Sequence, residues 1–156
     1  MRTAAIVVAS VVVLLAAALA RSEDGARELL PAFVMEELAA ADFTPSAGDA
    51  SAFSVPSSAA AQTVRASAFL GKGPDAEPTV VPALMSGPIS RGPTTDEAEI
   101  RIALSVPFWV VYWRSVPADQ VGRFWDPGGG DRVNAVFLVD GVTGDCCWLN
   151  RVSKAR

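Results

Sequence analysis

Phe108-Trp109-Val110-Val111-Tyr112-Trp113 is a run of β-branched and aromatic residues with no charge in it. Such residues fit the pleated surface of a strand. Side chains alternate along a strand, so Phe108, Val110 and Tyr112 line one face and Trp109, Val111 and Trp113 the other. A sheet with one wet face alternates apolar with polar, and this run does not. The next strand-like run behaves alike, with Ala135, Phe137 and Val139 opposing Val136 and Leu138. A sheet built on these strands needs cover on both faces.

Upstream, Val55-Pro56-Ser57-Ser58 supplies a cap for a helix, because a Ser hydroxyl accepts from free N–H groups of a first turn. Ala60, Ala61, Val64 and Ala68 then form a narrow apolar stripe, and Gly71, Gly73 and Pro74 stop it. This predicts a helix over about 57–70 whose small residues let it lie close to the sheet. It covers one face. The other is left to the 26–41 segment, to loops, or to a protein partner. Pro31 suits a first helical turn, and Val34, Leu38 and Ala41 share a face with Glu36 and Glu37 beside it. Thr44 to Ser54 is small and polar and reads as a linker.

Downstream the signals are β. Thr79 to Met85 is interrupted by Pro82 and reads as an edge strand or irregular segment. Ser86 to Pro93 reads as a turn, and Glu99 to Val106 as a partly alternating strand. Pro107 marks a bulge or a new strand. Residues 114–131 read as a loop, Asn134 to Asp140 and Cys146 to Asn150 as strands, joined by the Gly141-Val142-Thr143-Gly144 hairpin. The expected class is α+β: one helix packed on a small antiparallel sheet of three to five strands, after an N-terminal apolar signal or anchor helix. The expected division is 1–20 as signal peptide or membrane anchor, 21–54 as linker with a helix in it, and 55–156 as the folded domain.

Ala4 to Ala20 is an apolar stretch behind Arg2, closing on Ala18-Leu19-Ala20. That is the pattern of a secretory signal with a small-x-small cleavage site. Its length also reaches the lower limit of a spanning helix, roughly 17 residues, so a retained tether through residues 4–20 is the rival. Either way the positive residue stays inside and the body is exported. The chain has 156 residues, 13 basic and 17 acidic, and no His. The missing imidazole excludes Ser-His, Cys-His and His-metal chemistry. The acidic balance argues against nucleic acid as a partner.

Cys146 and Cys147 are adjacent. Four arrangements stand open: one buried and one outward thiol, a disulfide between two chains, a vicinal disulfide, or metal and redox use. Asp140 and Thr143 read as turn acceptors within the hairpin, with a calcium site between Asp140 and Asp145 as the rival. Gly128-Gly129-Gly130 lacks the Lys-Ser/Thr of a phosphate loop and reads as flexible. No catalytic residue, metal ligand or cofactor is assigned. The partner-binding candidates are Trp109, Trp113 and Trp148 on a sheet face left open by the Ser57 helix, with Trp125 in the overhanging Pro/Gly loop.

Helix, turn and strands closing on Val139-Asp140-Gly141-Val142-Thr143-Gly144-Asp145, behind Phe108-Trp109-Val110 and Phe137-Leu138-Val139, resemble the PepSY-like domains of exported bacterial proteins. The resemblance covers at most the last hundred or so residues, and Cys146-Cys147 departs from it. It implies a helix on a small antiparallel sheet, a binding or regulatory role that includes restraint of proteases, and no catalytic residues. The expected function is an exported, non-catalytic binding or regulatory module acting on an extracytoplasmic protein. The alternatives are an accessory subunit of a membrane complex, or a thiol-dependent redox protein.

Overall fold

The computed structural model describes residues 29–67, 73–90, 100–122 and 131–155. Helix α1 (Ala32–Ala39) leads into a short strand β1 (Thr44–Ala47), a 3-10 turn (Ala50–Ala52) and helix α2 (Ser57–Ala66). Strands β2 (Thr79–Ser90), β3 (Ile100–Pro117), β4 (Arg132–Asp140) and β5 (Cys146–Lys154) follow, with a 3-10 turn at Ala118–Gln120. The sheet is an antiparallel meander in the order β1-β2-β3-β4-β5. The fold is therefore α+β on a small sheet, as expected. The signal or anchor proposed for residues 1–20 lies outside the described residues, and among the described residues no helix is long and apolar enough to cross a membrane.

Two separate cores form, one on each sheet face. Ala60 and Val64 of α2 pack on Trp109, Val111, Trp113, Ala135, Phe137 and Val139. Leu30, Val34 and Leu38 pack on Phe108, Val110, Val136, Leu138 and Leu149. The alternation read from residues 108–113 and 135–139 thus holds, and both faces are covered from within the chain. Of the covers considered for the second face, the 26–41 segment supplies it and the partner surface does not: α1 closes the face, because Val34 and Leu38 recur at i and i+4 and are fully buried.

Pro31 sits one position earlier than expected, as the N-cap rather than in the first turn. Residues 44–54 are not a linker. Thr44–Ala47 pairs with Ser86–Ala83 as the outer strand of the sheet, since even a four-residue strand satisfies backbone groups that water would otherwise hold. β2 is consequently not an edge strand, and it continues through the Ser86–Ser90 stretch that reads as a turn. Pro82 is tolerated because β1 covers β2 only from Ala83 to Ser86. At Pro82 the outer edge has no β1 partner to receive a ladder bond.

Nor does Pro107 break β3. It lies within one strand, next to Phe108, where pairing with β4 begins. The irregularity falls two residues earlier, where Ser105 at φ 53 donates its N–H to Ser86 Oγ at 3.1 Å. β3 also extends through Pro117 into the span read as loop.

The chain passes from one face to the other at the hairpin end. Ser54 and Val55 donate their N–H groups to Gly141 O at 2.9 and 3.0 Å. A Cβ at Gly141 would lie 2.7 Å from Cε1 of Phe53 and 3.0 Å from Pro107 O, so only glycine fits this crossing. In the hairpin, Asp140 Oδ1 accepts from Val142 and Thr143 N–H at 2.8 and 2.9 Å, and Thr143 Oγ1 from Asp145 N–H at 3.2 Å. Gly144 at φ 78 completes the turn.

Candidate functional site

The α1 face of the sheet changes character along its strands. Phe108, Val110 and Tyr112 on β3, Leu138 and Val136 on β4, and Leu149 on β5 carry the apolar stretch. One step further the same rows hold Arg114, Asn134 and Ser153. Asn134 pairs with Ser153 in register, and a bulge between Trp113 and Val116 sets Arg114 and Ser115 against Asn134. Bulges of this kind re-aim side chains and interrupt pairing. Here the bulge places Ser115 at φ 52. Its N–H donates to Asn134 Oδ1 at 3.0 Å, and Arg132 Nε donates to its hydroxyl at 2.9 Å. Arg132 also donates to the Ser115 carbonyl.

This polar row floors a cavity of about 460 Å³. The start of α1 forms the opposite wall, with Pro31, Ala32, Phe33, Glu36 and Glu37, and Lys154 and Ala155 close the β5 side. Asn134 is only 8% exposed. With Oδ1 engaged by Ser115, its amide nitrogen has no acceptor among the described residues. Lys154 Nζ reaches Asp131 Oδ2 at 3.0 Å on an exposed edge. Phe33 meets Tyr112 edge to face at 5.7 Å and forms the apolar boundary. Arg114 and the start of a helix thus share one recess with two carboxylates, an arrangement suited to a small polar molecule that carries both charges.

The sequence named none of these residues as a site. The signal was present but faint. Arg114 continues the row of Phe108, Val110 and Tyr112, and Asn134 the row of Leu138 and Val136, so both are polar interruptions of an otherwise apolar face.

The tryptophans proposed as anchors are placed differently. Trp109 and Trp113 lie under α2, on the face that the helix covers, 7% and 2% exposed. Trp109 Nε1 donates to Val55 O and Trp113 Nε1 to Ala76 O, both at 2.8 Å. Phe53 packs on Trp109 at 4.4 Å, Phe137 on Trp113 at 6.0 Å, and the Arg65 guanidinium lies 5.9 Å from the Trp113 ring centre. Large aromatic area and bonded N–H groups are what a core position requires. Trp148 lies on the other face, edge-on to Phe108 at 6.3 Å, and its buried Nε1 has no partner among the described residues. The structure does not bring Trp109, Trp113 and Trp148 together on one face, and Trp125 is outside the described residues.

Cys146 and Cys147 are joined to each other through a cis peptide, with Cα atoms 3.0 Å apart. This is the vicinal arrangement, not the buried and outward thiols of a regular strand. The register slips here, with Val139 opposite Cys146 but Leu138 opposite Leu149. Both cysteines therefore pack on the α2-side core, while Trp148 turns to the other side.

Comparison of the chain with family models, with curated proteins and with solved structures found no match.

Proposed function

We propose that this chain is an exported, non-catalytic binding module, with the cavity between α1 and the bulged ends of β3, β4 and β5 as its binding site. The observation that carries the proposal is Asn134, a side chain more than nine-tenths buried whose amide lines a cavity with charged groups around it. Its Oδ1 is taken by the Ser115 N–H, which leaves the amide nitrogen free to donate to a ligand in the cavity. Export rests on the apolar stretch 4–20 behind Arg2. Kinship with PepSY-like domains is part of the same proposal. A protein partner is not assigned to a sheet face, because both faces are filled. The test is ligand-observed NMR of the full chain in mild detergent with small polar metabolites. Ligands that bind the native chain and lose binding in Arg114→Ala support the reading. No ligand from any chemical class would end it.

The disulfide favours one second reading, a redox protein. Its test is thiol counting before and after a dithiol reductant. Reduction with reversible loss of a partner activity supports it, and two free thiols in protein isolated from its native compartment oppose it.

A further inference from the structure

Resting on the binding-module proposal, we infer that the cavity at the start of α1 takes a small zwitterion of the α-amino acid type. The charges are sorted by wall. Arg114 and Asn134 rise from the sheet, with Ser153 beside them in register and Lys154 at the β5 rim. Glu36 and Glu37 descend from the second turn of α1. A carboxylate lying on the sheet would take a forked pair of bonds from the Arg114 guanidinium and one from the Asn134 amide. It would also lie at the positive end of the helix. An ammonium group would then face Glu36 and Glu37 across the recess.

Competing ligand classes fit less well. A simple anion meets two carboxylates on the facing wall. A simple cation meets Arg114, which has no ion pair among the described residues. A neutral apolar molecule would find Pro31, Ala32, Phe33 and Ala155, but would bury the charged groups between them without a partner. The cavity, about 460 Å³, lies within the range of roughly 300–1,000 Å³ that small-molecule sites occupy. The floor is also fixed in advance. Asn134 is held through Ser115, whose position is set by the bulge and by Arg132. A ligand would find the Asn134 amide already oriented, which lowers the ordering cost of binding.

The experiment is calorimetric titration of the full chain in mild detergent with the standard L-amino acids. For each that binds, its amide and its N-acetyl derivative are titrated too. At least one free amino acid is expected to bind with a dissociation constant of about 1 mM or tighter. Both capped forms should bind about tenfold more weakly or worse, since each removes one charge-assisted contact. R114Q should reproduce the loss seen with the amide, and the E36Q/E37Q pair that seen with the N-acetyl form. Arg114 is exposed, and circular dichroism of each variant checks that it folds. An N-acetyl derivative that binds as tightly as its parent, or R114Q binding unchanged, overturns the zwitterion. If no amino acid binds while another polar metabolite does so in an Arg114-dependent way, the zwitterion fails and the binding module stands. If nothing binds, both fall.

Discussion

The two faces of the sheet are filled by opposite divisions of labour. On one, the helix and the residue leading into it bring the bulk: Leu30 ahead of α1, and Val34 and Leu38 within it, reach down to valines, leucines and Phe108. On the other, α2 brings only Ala60 and Val64, and the sheet supplies Trp109, Trp113 and Phe137. Interiors are packed to one density, so what a helix lacks in volume the facing strands must provide. The division has a second consequence. Trp109 and Trp113 donate to Val55 O and Ala76 O, which lie two residues before α2 and ten residues after it in the chain. The indoles therefore bracket the Ala-rich helix as well as filling the space beneath it. On the α1 face Trp148 has no such partner. A helix with large side chains holds itself down by burial, whereas a helix with small ones needs the sheet to hold it.

The largest effect should come from removing bulk where the sheet provides it. Trp113→Ala should cost about 3–5 kcal/mol by urea unfolding, because it removes a buried indole and opens a cavity that α2 cannot fill. Leu38→Ala on the other face should cost about 2–5 kcal/mol, toward the lower end if α1 can settle inward. If Leu38→Ala proves the more damaging of the two, the division of labour described above is wrong.

Adding bulk should discriminate next. Ala60→Leu places a larger side chain over the indoles and should cost about 1–3 kcal/mol through overpacking. If stability is unchanged, α2 stands further from the sheet than its small residues require.

Much of this comparison was legible in the sequence. Both apolar faces could be read from Phe108 to Trp113, because a period of two survives any error in strand ends. The stripe Ala60, Val64 marked α2, and Val34 with Leu38 marked α1. The hairpin followed from Asp140, Thr143 and the two glycines, whose turn chemistry is local. What escaped was non-local. Thr44–Ala47 looks like a linker, since its strand identity comes from Ala83–Ser86, some forty residues away in sequence. Pro82 and Pro107 look like breaks until it is known where each neighbouring strand ends. The polar row of Arg114, Asn134 and Ser153 required the register of three strands. The pairing of Cys146 with Cys147 required the slip between β4 and β5. The proposed anchors Trp109 and Trp113 were assigned to the wrong side of the helix because nothing in the sequence says which face α2 takes.

The two tryptophan settings allow a finer comparison. Trp148→Phe keeps a ring against Phe108 and removes a buried donor that has no acceptor among the described residues. An unsatisfied buried donor costs about 1–3 kcal/mol, so this variant should be near neutral or stabilising despite its smaller ring. Trp113→Phe loses a made bond to Ala76 O and should be destabilising. A clear loss of stability in Trp148→Phe would mean that its N–H is satisfied in solution.

The smallest effect is expected at the crossover between the two faces, where the chain leaves β1 for α2. Asp49 Oδ1 accepts the N–H of Ser51 at 2.9 Å and shapes the turn into Ala50–Ala52. These hydrogen bonds to Ser51 hold the Asp49 carboxyl below its usual value. A carboxyl with a depressed folded pKa contributes stability above its unfolded pKa. That contribution is lost as pH falls through the folded value. The group is fully exposed, so solvent screens most of it. Asp49→Ala should therefore differ slightly from the native chain at neutral pH, less than any variant above, and the difference should vanish in acid. Asp49→Asn keeps an acceptor without the charge and should show no such pH dependence. Urea midpoints of the three chains, measured from neutral pH down through the carboxylate range, check this. A difference that persists unchanged into acid would place the turn's stability in its backbone bonds rather than in the carboxylate.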